Sequence, residues 1–135
     1  MANHENLEVV QRFLQEGDLT AIMEDAEFFD FNLSEPILGS QAISNYISKH
    51  YNHWFRDGGA EFTNIVTSER CVVMEFTFRG IHQAEWQGIP ATGKAVEIPM
   101  CVIYDLEKGK ITQGRLYYNG ASMLRQLSIQ VQAGS

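Results

Sequence analysis

At Asp57-Gly58-Gly59 the hydrophobic pattern of this chain changes period. Upstream, apolar residues recur at helical spacing; downstream they alternate, as half-buried strands require. Asn3 to Glu16 reads as an amphipathic helix with Leu7, Val10, Phe13 and Leu14 on one face and Glu5 in its first turn. Gly17 ends it, and Asp18 caps a short second helix through Leu19, Ile22 and Met23. Glu27 to Phe31 reads as a strand, and a loop follows through Ser34, Pro36 and Gly39. Ser40 then caps a third helix whose stripe is Ile43, Tyr46, Ile47, Tyr51 and Trp54, with Asp57-Gly58-Gly59 as its stop. The alternating part predicts strands at Glu61–Thr67, Arg70–Trp86, Val96–Leu106 and Ile111–Asn119, with a Lys108-Gly109 hairpin between the last two. A helical turn at Met123, Leu124 and Leu127 and a polar tail close the chain. Helices first and an antiparallel meander second is an α+β arrangement, with helices on one face of a curved sheet.

The 135 residues make one domain, 1–135, and 44% hydrophobic content is enough for a packed core. Net charge is −7 and the ten basic residues are scattered, which argues against nucleic acid as a partner. Met1 to Asn6 is polar, and no run approaches the ~18 apolar residues of a membrane span. The expectation is a cytoplasmic protein, with Cys71 and Cys101 as buried reduced thiols inside apolar runs. No Cys/His spacing resembles a zinc site, so no metal is expected.

Alternation also sorts the candidate functional side chains. Val72, Met74, Phe76, Phe78, Gly80 and His82 share one face of the long strand. His82 extends that apolar face, either as an acid/base working near neutral pH or as a core-edge histidine with one hydrogen bond. Arg115, Tyr117 and Asn119 share a face of the last strand, with Leu116 and Tyr118 on the other. If the arginine face points inward, Arg115 needs an acid, a bound anion or water; otherwise the face meets solvent or a second subunit. Trp54, Trp86, Tyr46, Phe62 and Met100 read as core or as pocket walls. Asp25, Asp30 and Asp57 flank element ends and read as cap or turn residues.

These residues bear a family likeness. Phe76-Thr-Phe-Arg-Gly-Ile-His82 and Gly88-Ile-Pro-Ala-Thr-Gly-Lys94 resemble the W-T-V-R-G-T-H and G-I-P-P-T-G-K/R blocks of SnoaL-like polyketide cyclases, of the NTF2-like superfamily that includes ketosteroid isomerase. Gly17-Asp18-Leu19, Asp25, Gly39, Ala42-Ile43, Phe55, Asp57, Gly109-Lys110-Ile111 and Leu124-Arg125-Gln126-Leu127 match in order. The resemblance implies a cone: a curved, mostly antiparallel sheet around helices, enclosing an apolar pocket and pairing through its outer face as a dimer. It also implies cofactor-free proton-transfer chemistry of the cyclase, isomerase or lyase type on an apolar, carbonyl-bearing, polyketide-like substrate. The family's usual catalytic aspartate falls at Asn119, its tryptophan at Arg115 and the preceding histidine at Gly114. His82 is then the acid/base expected from the resemblance, with Arg115 and Asn119 polarising an oxygen and Tyr117 adding a hydrogen bond. Two alternatives stand beside that enzyme: a non-catalytic ligand-binding cone with Arg115 as anchor, and a dimeric interaction domain with a vestigial cavity.

Overall fold

The computed structural model describes residues 2–127. Helix α1 (Ala2–Glu16) ends where Gly17 takes a φ of 66°. The Gly17 amide completes the last i→i−4 bond to Phe13 O, and the Asp18 amide reaches back to Arg12 O, which closes the helix end. Asp18 caps only a single 3-10 turn, Leu19–Ala21, by accepting from Thr20 N at 2.9 Å. Ile22 and Met23, expected in a helix, already belong to strand β1 (Ile22–Asp30). A two-residue strand β2 (Ile37–Leu38) pairs back onto β1.

The next helical rod runs in three pieces: α2 (Ser40–Ser44), a π-helical turn (Asn45–His50) and α3 (Tyr51–Trp54). Gly39, at φ 96°, precedes it, and Ser40 is its first residue rather than its cap. The rod stops at Trp54, earlier than Asp57-Gly58-Gly59, because Phe55 is already extended. Strands β3 (Phe55–Thr67), β4 (Cys71–His82), β5 (Ala95–Glu107) and β6 (Lys110–Tyr118) form the meander, and α4 (Gly120–Gln126) follows. The long strand therefore ends at His82, short of Trp86. The polar tail expected after Leu127 lies outside the described residues.

The sheet order is β2-β1-β6-β5-β4-β3. All neighbours are antiparallel except β1 and β6, which run parallel. The fold is α+β, with a six-stranded, curved and unclosed sheet. Lys108 (φ 52°) and Gly109 (φ 78°) turn the β5–β6 hairpin as its sequence suggested.

The core lies on one face of the sheet. Val72, Met74 and Phe78 of β4, Ile98, Met100, Val102 and Tyr104 of β5, and Leu116 of β6 are buried there with Val10 and Phe13 of α1. Asn6 ties α1 to the β3–β4 turn by donating to Ser68 O and Glu69 O. Cys71 and Cys101 are free thiols, half-buried rather than buried.

Candidate functional site

Between the helical rod and the concave face of the sheet lies a cavity of about 410 Å³. Its floor is Phe28, Phe78, Met100, Val102, Tyr104 and Leu116, all buried. Tyr46, Ile47 and Tyr51 form the helical wall, and Gly58 to Ala60 with Phe62 form the rim on β3. Among the described residues the lining holds no Lys, Arg, Asp or Glu. A wider groove of about 840 Å³ at the β3–β4 and β5–β6 turns is lined by charged side chains, among them Glu69, Arg70, Asp105, Glu107 and Lys108, so it is no apolar chamber.

The charge beside the cavity is Asp30. Strand alternation from Ala26 through Phe28 carries it inward, where it is 2% exposed. One carboxylate oxygen, Oδ2, accepts the Tyr46 hydroxyl at 2.5 Å, and Oδ1 accepts the Asn32 amide at 2.9 Å. The Asn32 bond is the turn role expected for Asp30; the Tyr46 bond is not, and it places Asp30 directly behind the cavity wall. Tyr51 sits edge-on to Tyr46 with ring centroids 5.5 Å apart. Burial pushes the Tyr46 phenol far up, and Tyr51 and Asp30 push the same way. Burial likewise raises Tyr51, with Tyr118 and Asp30 adding to it. The Tyr118 phenol is raised by burial and then by Asp30. Its hydroxyl is buried and has no hydrogen-bond partner among the described residues. Three neutral phenols thus gather around one carboxylate.

Gly114 makes room for this arrangement. A Cβ there would meet Phe28 at 2.6 Å and Tyr104 at 3.1 Å, so both rings lie across the glycine. The histidine that the family pattern holds at this position would have no room.

The residues singled out in the sequence do not come together. Tyr46, Phe62 and Met100 line the cavity. Trp54 packs behind Tyr46 at 5.8 Å, and Trp86 is buried against Phe55, so neither is in the lining. His82 is completely buried beside Phe55, outside the lining. Its Nδ1 faces the Thr92 hydroxyl at 3.0 Å and accepts the Thr92 amide at 3.2 Å, and its buried Nε2 has no partner among the described residues. The backbone of His82 pairs with Gly93 and Lys94, so the residue fastens the connection to β5.

Arg115 points to the opposite face of the sheet. There it holds Asp105 with two nitrogens, at 2.5 and 3.2 Å, and reaches Gln113 at 2.6 Å. Tyr117 lies on that outer face against Phe31, and Asn119 caps α4 by accepting from Ser122 N. The expected cluster of His82, Arg115 and Asn119 is therefore not formed. Leu116 and Tyr118 face inward because Gly114, Leu116 and Tyr118 alternate onto Phe28 and the core.

The profile of the SnoaL-like polyketide cyclase family matches residues 5–127. The chain belongs to that family. No curated protein matches it. Among solved structures, a Jannaschia protein assigned to the SnoaL-like polyketide cyclases is 15% identical, with TM-score 0.82 and 93% of each chain covered. A protein from Xanthomonas campestris pv. campestris assigned as a polyketide cyclase is 22% identical, with TM-score 0.75, covering 94% of this chain and 99% of the other. A Catenulispora acidiphila protein with the ketosteroid isomerase-like fold, solved with trimethylamine, is 16% identical, with TM-score 0.72 and coverage of 90% and 93%. Likeness at these identities is likeness of fold, and this SnoaL-like chain has the fold with a polar cluster of its own sequence. Among its described residues no helix is long and apolar enough to cross a membrane, and no group of three His, Cys, Asp or Glu could hold a metal.

Proposed function

We propose that this SnoaL-like protein catalyses a cofactor-free proton transfer on an apolar, carbonyl-bearing, polyketide-like molecule. The observation that carries the reading is the buried Asp30–Tyr46 pair at the wall of an otherwise uncharged, aromatic cavity. The apolar body of the substrate fills the chamber, which excludes water and strengthens each polar contact. A proton leaves the carbon next to the carbonyl for the Tyr46 oxygen as Tyr46 passes its own proton to Asp30 Oδ2. The electron pair of the broken C–H bond moves onto the carbonyl oxygen. Tyr51, which lines the cavity, supplies an O–H donor for that oxygen, and its raised pKa keeps it protonated. Return of the proton to a different atom completes an isomerisation; attack of the enolate carbon on a second carbonyl of the same molecule closes a ring, and the alkoxide so formed takes the proton back from Tyr46 as Asp30 reprotonates it.

One observation favours a second reading, a non-catalytic binder. Asp30 is 2% exposed and lies behind Tyr46, so the carboxylate itself is closed off from the cavity. Exchange of the α-protons of 2-tetralone in D₂O, followed by proton NMR, separates the two readings. The enzyme reading requires exchange faster than in buffer, by ~100-fold or more for general-base catalysis, and its loss in Asp30→Asn. Binding of 2-tetralone with exchange no faster than in buffer leaves the binder.

We also propose a homodimer through the outer sheet face, where Phe31 is 56% and Tyr117 43% exposed with ring centroids 5.0 Å apart. The cytoplasm is the compartment that suits two unpaired thiols.

A further inference from the structure

The floor of the cavity is buried, whereas its β3 rim is open over Gly58, Gly59 and Ala60. This opening is built into the backbone. The β3–β4 register shifts between Arg56 and Gly59, and Asp57 holds a φ of 53°, so β3 carries a bulge at this point. Gly80 faces the bulge on β4: a Cβ there would meet Phe55 at 2.9 Å and the Gly58 Cα at 3.5 Å. Two glycines on neighbouring strands let the backbones close up, and neither contributes a side chain above the Phe78 ring.

After the bulge, inward alternation resumes with Ala60, opposite Phe78, and Phe62, opposite Phe76. Ala60 is thus the first inward side chain on the cavity side of the bulge, and it is exposed. Across the mouth stand Ser48 and Asn52 of the helical rod, both exposed and uncharged. A large side chain at position 60 would project over the opening beside the Phe78 ring.

We infer that Ala60 is the residue that sets how long a substrate the cavity admits, at the mouth between the β3 rim and Ser48 and Asn52 of the rod. This rests on the cavity being the ligand site. A short, one-ring molecule lies on the floor and never meets position 60. A fused-ring molecule with its oxygen at the tyrosines extends out past Ala60.

The test is isothermal titration of phenol, 2-naphthol and 9-phenanthrol against the unmodified protein, Ala60→Phe and Ala60→Met. Phenol affinity is expected to stay within about twofold in both variants, while 9-phenanthrol weakens by about tenfold or more in Ala60→Phe, a loss of the size overpacking causes. Ala60→Met, with a flexible side chain, is expected to fall between. Equal changes for all three probes, or no change for 9-phenanthrol, overturn the inference while leaving the cavity as the ligand site. Failure of the unmodified protein to bind phenol overturns the site reading and this inference with it.

Discussion

Tyr46→Phe removes one hydroxyl from the centre of the proposed site and leaves the ring. The contacts of that ring, with Tyr51 at 5.5 Å, Trp54 at 5.8 Å and Phe28 at 6.0 Å, do not involve the oxygen. The loss is therefore the 2.5 Å bond to Asp30 Oδ2, which leaves a buried carboxylate with the Asn32 amide as its remaining bond. Hydrogen bonds to charged groups contribute about 1.5–3 kcal/mol, and stranding a buried acceptor lies at the upper end of that range. For a chain of this size such a loss lowers the melting temperature by about 5–10 °C. Urea unfolding followed by tryptophan fluorescence reads the same free energy, provided the slope is unchanged. The second arm is Tyr46→Phe in an Asp30→Asn background, where the charge is gone and the coupling of about 1 kcal/mol or more should disappear from the cost. A loss under about 0.5 kcal/mol in the first arm, or the same loss in both, would refute the claim that the carboxylate holds this hydroxyl.

Three further outcomes are expected. Gly114→Ala forces a Cβ to within 2.6 Å of the Phe28 ring, which can yield only toward the cavity; calorimetry should show about 1–3 kcal/mol of destabilisation, and phenol titration a weakened site. Tyr46, Tyr51, Tyr104 and Tyr118 all have pKa values raised above 10.0, with burial the largest cause in each. The folded state thus holds these protons while the unfolded chain releases them, so stability is intact below pH 10 and falls as pH rises beyond it, by ~1.4 kcal/mol per pH unit for each phenol withheld. Phenolate absorbance from these four should then appear together with loss of near-ultraviolet circular dichroism, and early, reversible ionisation of all four in the folded protein would contradict their burial. Tyr117→Glu puts a charge on the outer aromatic pair, and light scattering should report a shift from dimer to monomer with the melting temperature little changed.

Much of the fold was legible because its signals are local. The Lys108-Gly109 turn and the β4 alternation from Val72 to His82 needed only neighbouring residues to declare themselves. The site was less legible because it depends on which way a face points. Alternation correctly grouped Arg115 with Tyr117 and Leu116 with Tyr118, yet period two gives the grouping without its sign. The sign follows from Gly114 lying under Phe28 and Tyr104, a contact between three strands. His82 was grouped correctly with the inner face, but Phe55 and Thr92 close over it at the strand end. Asp30 stands at an element end, where an aspartate reads first as a turn residue; the rhythm Ala26, Phe28, Asp30 is the signal that turns it inward.

The helical wall carries a deeper reason. At 3.6 residues per turn, Tyr46 and Tyr51 stand ~140° apart around a helix, and one of them would miss the cavity. Their rings nevertheless meet, because Asn45–His50 forms a π turn, in which residues five apart stack. The ends of the rod are fixed independently: Gly39 N donates to Ala26 O of β1 at one end, and Gln83 donates to the carbonyls of Trp54, Asn52 and His53 at the other. Between fixed ends, one residue more than an α-helix accommodates is taken up as a wider turn. Ser48 steadies it by donating to Ser44 O at 2.7 Å. No helix propensity in Asn45-Tyr-Ile-Ser-Lys-His50 announces that turn; it is set by where β1 and β4 hold the two ends, and it is what brings two phenols to one carboxylate.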